Sequence, residues 1–211
     1  MASELLQLPF DGFQLAYAAS TTIAFDILLQ SDLDEVCRRS GARQVGDRVL
    51  TLPFMGSDYL INLNRRSVTG TLETPLLTDQ LVILHYLTND KDAPLETQEI
   101  SFQELPEGLV YYPSFYKRVI IPLVKHFGDS PEQFISTATI LGGTMMPLGD
   151  VAVCFQALPK VKLTWVIWRS DKEFPAEGTI LMNTDITKYL PIEDIAVLCH
   201  SITLKLCRIN Y

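Results

Sequence analysis

The sequence lacks several features by which protein classes are usually recognised. Its four cysteines form no C-x-x-C pair, so we expect free buried thiols and no metal site. It has no run of basic residues, and its 25 acidic side chains outnumber the 17 basic ones, for a formal net charge of −8. Because an acidic surface repels phosphate groups, neither nucleic acid nor a membrane is an expected partner.

Targeting segments and known catalytic signatures are also missing. The start has no basic residues ahead of an apolar core, as a secretory signal would, so we expect a cytoplasmic protein. The longest uncharged stretch near the start, residues 12–25, is too short to span a bilayer. Without G-x-S-x-G, H-E-x-x-H or G-x-G-x-x-G, no reaction class follows from a motif.

The overall amino-acid composition is that of a globular domain. Of the 211 residues, 47% are apolar and 20% are charged, which is enough apolar material to form a sizeable core. We predict a single α+β domain over residues 1–211, and a separate N-terminal subdomain over residues 1–72 is left open.

The first third of the chain predicts two helices followed by short strands. Apolar spacing favours a helix over residues 12–30, and Ser31 is expected to cap a short helix that Gly41 ends. The period then changes to that of strands joined by tight turns, which predicts a small antiparallel meander. Its strands are expected at residues 49–52, 59–63 and 67–69.

The rest of the chain predicts helices around a second set of strands. Helices are expected at residues 80–87, at 115–127 with an interruption at Pro122, and from Pro131 to Gly142, with a short strand at 100–102. Residues 150–158 and 161–169 predict paired strands, followed by a third at 179–182 and a last helix that begins at Pro191. The predicted fold class is α+β: a small antiparallel meander plus a central antiparallel hairpin sheet packed by about six helices.

The densest polar chemistry lies between Trp168 and Asp194. We take as candidate ligand-binding residues Asp150, Trp168, Asp171, Glu173, Phe174 and Tyr189. Because strands 150–158 and 161–169 are expected to pair, Asp150 should lie close to Asp171 at the sheet end away from the hairpin turn. The acids would border a concave surface shared with residues 142–150, and Trp168 and Phe174 would form its apolar wall.

Asp171 and Glu173 leave two interpretations open. Two carboxylates on one side of an extended segment could bind a hard cation or divide the roles of acid and base. Alternatively, Asp171 forms a turn with its own backbone and has no ligand. Elsewhere, His85 is interpreted as a half-buried histidine with a satisfied ring, and Asp194 as a residue of the first turn of the last helix.

Several segments occur in an order that resembles a known family. They include LTDQLVILHYL (77–87), ISFQELPEG (100–108), ALPKVKL (157–163), W-x-x-D-x-EFP (168–175) and YLPIED (189–194). On these segments the chain resembles the domain-of-unknown-function family thirty-seven eighty-six, found largely in anaerobic bacteria and archaea. The matching motif residues are Trp168, Asp171, Glu173, Phe174, Pro175, Tyr189, Glu193 and Asp194.

The resemblance implies a metabolic setting without a reaction. Members of the family often accompany corrinoid and one-carbon proteins of anaerobes, and some carry an extra cysteine-rich segment of iron–sulfur type, which this chain lacks. We therefore favour an accessory module that binds an unidentified small-molecule cofactor or a partner protein through residues 168–194 and 141–150. Two alternatives stay open: an enzyme that uses Asp171 and Glu173, with or without a divalent metal, and a structural subunit whose acidic face meets a basic partner.

Overall fold

The computed structural model describes residues 10–70, 75–89 and 97–208, with side chains from residue 17 onward. Two helices, α1 (Phe10–Gln30) and α2 (Leu33–Ser40), precede a four-stranded antiparallel sheet. Its strands follow one another in sequence order: β1 (Arg43–Gly46), β2 (Val49–Phe54), β3 (Ser57–Asn62) and β4 (Ser67–Gly70). The predicted meander is confirmed, with β1 as an additional strand. The proposed subdomain boundary at residue 72 lies outside the described residues.

The start of α2 differs from the prediction by one residue. Asp32, and not Ser31, is the N-cap, because its carboxylate accepts hydrogen bonds from the backbone N–H groups of Asp34 (3.0 Å) and Glu35 (3.5 Å). A carboxylate at this position also interacts favourably with the positive end of the helix dipole. Gly41 ends the helix with a φ of 75°, as expected of a glycine in the left-handed region.

The middle of the chain is mostly helical and contains a π-helical segment. It contains α3 (Leu77–Thr88), the short strand β5 (Glu99–Ser101), α4 (Gly108–Phe115), a π-helical segment (Tyr116–Ile120), α5 (Ile121–Phe127) and α6 (Pro131–Ile140). Residues 115–127 are helical, as predicted, but the helix begins earlier, at Gly108, and its irregularity lies in the π-helical segment before Pro122. The N–H of Ile121 bonds to the carbonyl of Tyr116, five residues back, and Pro122 directly follows with no N–H to donate.

The second sheet has five antiparallel strands in the order β5-β9-β8-β7-β6. Its remaining strands are β6 (Thr144–Met146), β7 (Val151–Leu158), β8 (Val161–Trp168) and β9 (Glu177–Asn183). The predicted central hairpin is confirmed, with Val153 opposite Trp165. The short edge strand β6 was not predicted. Gly143 immediately precedes it and allows close packing, since a Cβ there would lie 2.4 Å from Val153 Cγ1.

The core lies between the sheets and the helices and is continuous. The last helix, α7 (Ile192–Arg208), has an apolar stripe with the spacing of three and four residues that one helix face requires, and its members are buried completely or almost so: Ile192, Ile195, Cys199, Ile202 and Leu206. Trp165 is fully buried, and its indole N–H donates to Thr203 Oγ1 of α7 at 3.0 Å. Residues of both sheets belong to one apolar cluster, and the N–H of Met55 bonds to the carbonyl of Ala157 between them. The α+β fold class is confirmed.

None of the helices within the described residues is long and apolar enough to cross a lipid bilayer.

Candidate functional site

The end of the β7–β8 hairpin that lies away from its turn carries most of the predicted site. Asp150 directly precedes β7, and its Oδ2 accepts a hydrogen bond from the N–H of Arg169, 2.8 Å away, just after β8. The N–H of Asp150 bonds in turn to the carbonyl of Ile167 at 3.2 Å. The first and last residues of the hairpin are thus tied together, as the predicted strand pairing requires.

Asp171 organises the chain that leaves this end of the sheet. One of its carboxylate oxygens accepts the N–H groups of Glu173 and Phe174, each at 2.7 Å, and its own N–H donates to the carbonyl of Phe174 at 2.9 Å. The two N–H donors stabilise the ionised carboxylate and lower the pKa of Asp171. Asp171 therefore forms the turn that one of the two interpretations of the sequence described.

Further contacts fix residues 168–176, which we call the aromatic turn, against the corner between α5 and α6. The guanidinium of Arg169 pairs with Glu132 Oε1 at 2.7 Å, and Ser170 Oγ donates to Asp129 Oδ1 at 3.3 Å. Gly128 allows the closest approach, because a Cβ at that position would lie 2.8 Å from the Cβ of Ala176. The turn is thus held by side-chain contacts at Arg169 and Ser170 and by close packing against Gly128.

The aromatic turn presents two large side chains to solvent. Trp168 is 41% exposed and Phe174 is 66% exposed. Leu148 is also 37% exposed, and its neighbour Gly149 approaches Trp168 closely, since a Cβ there would lie 3.4 Å from the indole nitrogen. Large aromatic side chains that are exposed on an ordered turn are typical of a surface that binds another molecule.

The structure places Tyr189 away from the other candidates. It is 3% exposed, and Lys160 Nζ lies 5.9 Å from the centre of its ring. Lys160 belongs to the turn that joins β7 to β8, so Tyr189 is at the opposite end of the hairpin from Asp150. Eight residues of β7 separate the two ends, roughly 25 Å at the usual rise of a strand. Tyr189 therefore packs in the core and does not join the aromatic turn.

A second polar constellation lies between α3 and α7. His85 Nδ1 and Asp194 Oδ2 are 2.6 Å apart, with Asp194 5% exposed and His85 half-buried. The neighbouring phenol of Tyr17 has a raised pKa, first because it is buried and second because of the negative charge of Asp194, while Arg118 opposes the shift. The expected satisfied histidine is confirmed, and its partner is the first-turn Asp194.

The same two helices are joined again farther along. Asp79 of α3 is 1% exposed; it accepts a hydrogen bond from Ser201 Oγ at 2.6 Å and pairs with Lys205 Nζ at 3.2 Å. Sequence reasoning missed both links. The available signal was that segments 77–87 and 189–194 both carry the family resemblance, but a single sequence does not show that they meet.

Comparison with known proteins identifies the family. The model of a family described as "Domain of unknown function (DUF3786)" matches residues 32–205. The chain belongs to this family. Searches of curated proteins and of solved structures find no match.

The DUF3786 match includes the features described above. It begins at the N-cap of α2 and ends at Lys205, so it contains both sheets, the aromatic turn and both links between α3 and α7. Helix α1, and with it Tyr17, lies outside the match.

The cysteines of this DUF3786 member are free. Cys199 is buried and Cys37, Cys154 and Cys207 are partly buried. Among residues 10–70, 75–89 and 97–208, no three or more His, Cys, Asp or Glu side chains form a group that could hold a metal ion.

Proposed function

We propose that the protein is a cytoplasmic binding module that docks a partner protein through the aromatic turn. The observation that carries the proposal is the exposure of Trp168 and Phe174 on a segment held by Asp150 and Asp171. Aromatic side chains bury a large area with few rotatable bonds, and a turn that is already ordered loses little entropy on binding. Such residues often contribute most of the binding energy of a protein interface.

A partner protein fits these residues better than a small ligand does. Ligand sites usually enclose most of the ligand in a cleft, whereas Trp168 and Phe174 are largely open to solvent. The family resemblance supplies the biological setting, and we place the module among the accessory proteins of anaerobic, corrinoid or one-carbon metabolism.

The test is a binding measurement with matched variants. A photo-crosslinking phenylalanine analogue at position 174 identifies proteins in contact with the turn in the native host, and the captured protein is then purified. We expect Trp168→Ala and Phe174→Ala to weaken its affinity by roughly 30-fold each. Ile23→Ala is the control, because Ile23 is 60% exposed on α1. Equal affinities for all three variants and the parent would refute the proposal.

Acid–base catalysis is a second candidate function, favoured by the His85–Asp194 pair. A buried carboxylate that holds Nδ1 fixes the ring and leaves Nε2 as the atom available to take a proton. Asp171, which the sequence offered for this role, is less suited because its lowered pKa makes its carboxylate a weaker base, and because two backbone N–H groups already bond to that carboxylate. Chromogenic ester and phosphoester substrates test this candidate, and we expect any turnover to disappear in His85→Gln. Turnover that is equal in the variant and the parent would exclude His85 as the base.

A further inference from the structure

The aromatic turn lies in an acidic part of the surface. Glu173 belongs to the turn, and Glu177 lies opposite Trp168 in the sheet. Other carboxylates contact the turn directly or help to form it: Asp129, Glu132, Asp150 and Asp171. The basic residues within the turn are Arg169 and Lys172, and Lys125 lies in the last turn of α5, so six carboxylates stand against three side chains of fixed positive charge around the aromatic turn.

Among the described contacts of these six carboxylates, one is an ion pair. The guanidinium of Arg169 is paired with Glu132. Asp150 and Asp171 receive their described hydrogen bonds from neutral backbone N–H groups, which stabilise the anion without cancelling its charge. A group that approaches Trp168 or Phe174 from solvent therefore meets a negative potential next to an aromatic face.

We propose that the segment of the partner that binds the aromatic turn is rich in arginine. This inference rests on the proposed function and specifies the chemistry of its partner. A guanidinium can stack on the ring of Trp168 or Phe174 and donate hydrogen bonds to a carboxylate at the same time. A purely apolar segment would satisfy the rings but would bury the carboxylates without partners, which costs free energy.

The first experiment uses synthetic peptides and the two tryptophans as reporters. Short peptides of one length carry arginine, lysine, glutamine or glutamate at the same positions, and binding is followed through the two indole N–H signals in ¹H–¹⁵N spectra. Trp165 is buried and bonded to Thr203, so its signal is an internal control, whereas Trp168 is exposed. We expect the arginine peptide to shift the Trp168 signal alone, the lysine peptide to bind several-fold more weakly, and the other two peptides to have no effect.

Charge-neutralising variants localise the binding. We expect the double variant Glu173→Gln, Glu177→Gln to weaken binding of the arginine peptide by about 10-fold and to keep the fold, since both side chains are exposed. Asp47→Asn, in the turn between β1 and β2, is the matched control and should bind like the parent. Salt should weaken binding to the parent more than to the double variant.

The outcomes separate this inference from the proposed function. Equal binding of the arginine and glutamine peptides, or equal loss in the Asp47 and Glu173/Glu177 variants, overturns the arginine-rich partner. If Phe174→Ala still weakens the native partner in that case, the binding module stands and only its charge preference is wrong. If neither the peptide nor the native partner depends on the turn, both proposals fail.

Discussion

His85 and Asp194 are 109 residues apart in the sequence and meet at 2.6 Å between α3 and α7. Asp79, Ser201 and Lys205 form a second link between the same helices. Along α3 the contacts run from residue 79 to residue 85, and along α7 from residue 205 back to residue 194, so the helices are antiparallel. Polar contacts at both places permit one alignment of the two helices, because sliding either helix would leave a buried carboxylate without its partner.

The first prediction concerns the pair itself. His85→Ala removes the partner of a carboxylate that is 5% exposed, so we expect a loss of about 2 kcal/mol in the free energy of unfolding and a Tm lower by roughly 5 °C. Denaturant unfolding of both single variants and of His85→Ala, Asp194→Ala gives the coupling. The double variant should lose less than the two single losses added together. Strict additivity would mean that the pair contributes nothing.

The second prediction compares the two partners of the other ion pair. The side chain of Lys205 is 22% exposed and that of Asp79 is 2% exposed. Lys205→Met therefore leaves a buried carboxylate with a hydroxyl as its remaining partner, whereas Asp79→Asn keeps the hydrogen bond to Ser201 and lets the ammonium reach water. We expect Lys205→Met to cost about 3 kcal/mol and Asp79→Asn about 1 kcal/mol. Thermal melts that rank the variants in the opposite order would contradict this explanation.

A third prediction follows from the turn formed by Asp171. Its pKa lies below the ordinary 3.8, because backbone N–H groups stabilise the ionised form in the folded protein. The stability that these bonds add is present above the ordinary pKa and is lost as the pH falls through the lowered pKa. The amide proton shifts of Glu173 and Phe174 should titrate together with a midpoint below 3.8, and Asp171→Ala should abolish the transition. A midpoint at or above the ordinary value would disprove the assigned cause.

Thiol reactivity supplies a fourth prediction. Burial raises the pKa of Cys199 strongly and that of Cys207 to about 11, so neither forms much of the reactive thiolate at pH 8. We expect a disulfide reagent at this pH to label Cys199 when the protein is unfolded in urea and to leave it unmodified in the folded state. Peptide mass spectrometry measures the labelling of each cysteine. Labelling of Cys199 at equal rates in both states would show that α7 opens readily.

Sequence patterns predicted those elements in which one hydrophobic period continues over many residues, or in which the turn residues are distinctive. The β7–β8 hairpin and the buried stripe of α7 could be recognised because each repeats one period over many residues. The edge strand β6, with its three residues, is too short to show a period. The π-helical segment Tyr116–Ile120 has apolar residues that suit an ordinary helix, so only Pro122 indicated an irregularity nearby.

The composition of the site was predictable only in part, because contacts between segments distant in sequence determine which residues lie together. Pairing of the strands brings Asp150 to Arg169, and this followed from the hairpin pattern. Nearness in sequence suggests that Tyr189 joins residues 168–174 in one site, but β9 runs the length of the sheet between them. The partner of His85 could not be found, since Asp194 looked complete as a residue at the start of a helix.

The π-helical segment between α4 and α5 has a consequence for how the chain length can change there. A π turn contains one residue more than an α turn, and each residue of an α-helix rotates the chain by about 100°. A relative with one residue fewer between Tyr116 and Ile120 could continue as an ordinary helix, but α4 would then be rotated about its axis relative to α5. Leu109 and Val110, which are 72% and 81% exposed, would face a different direction. The extra residue therefore sets the orientation of this outer helix.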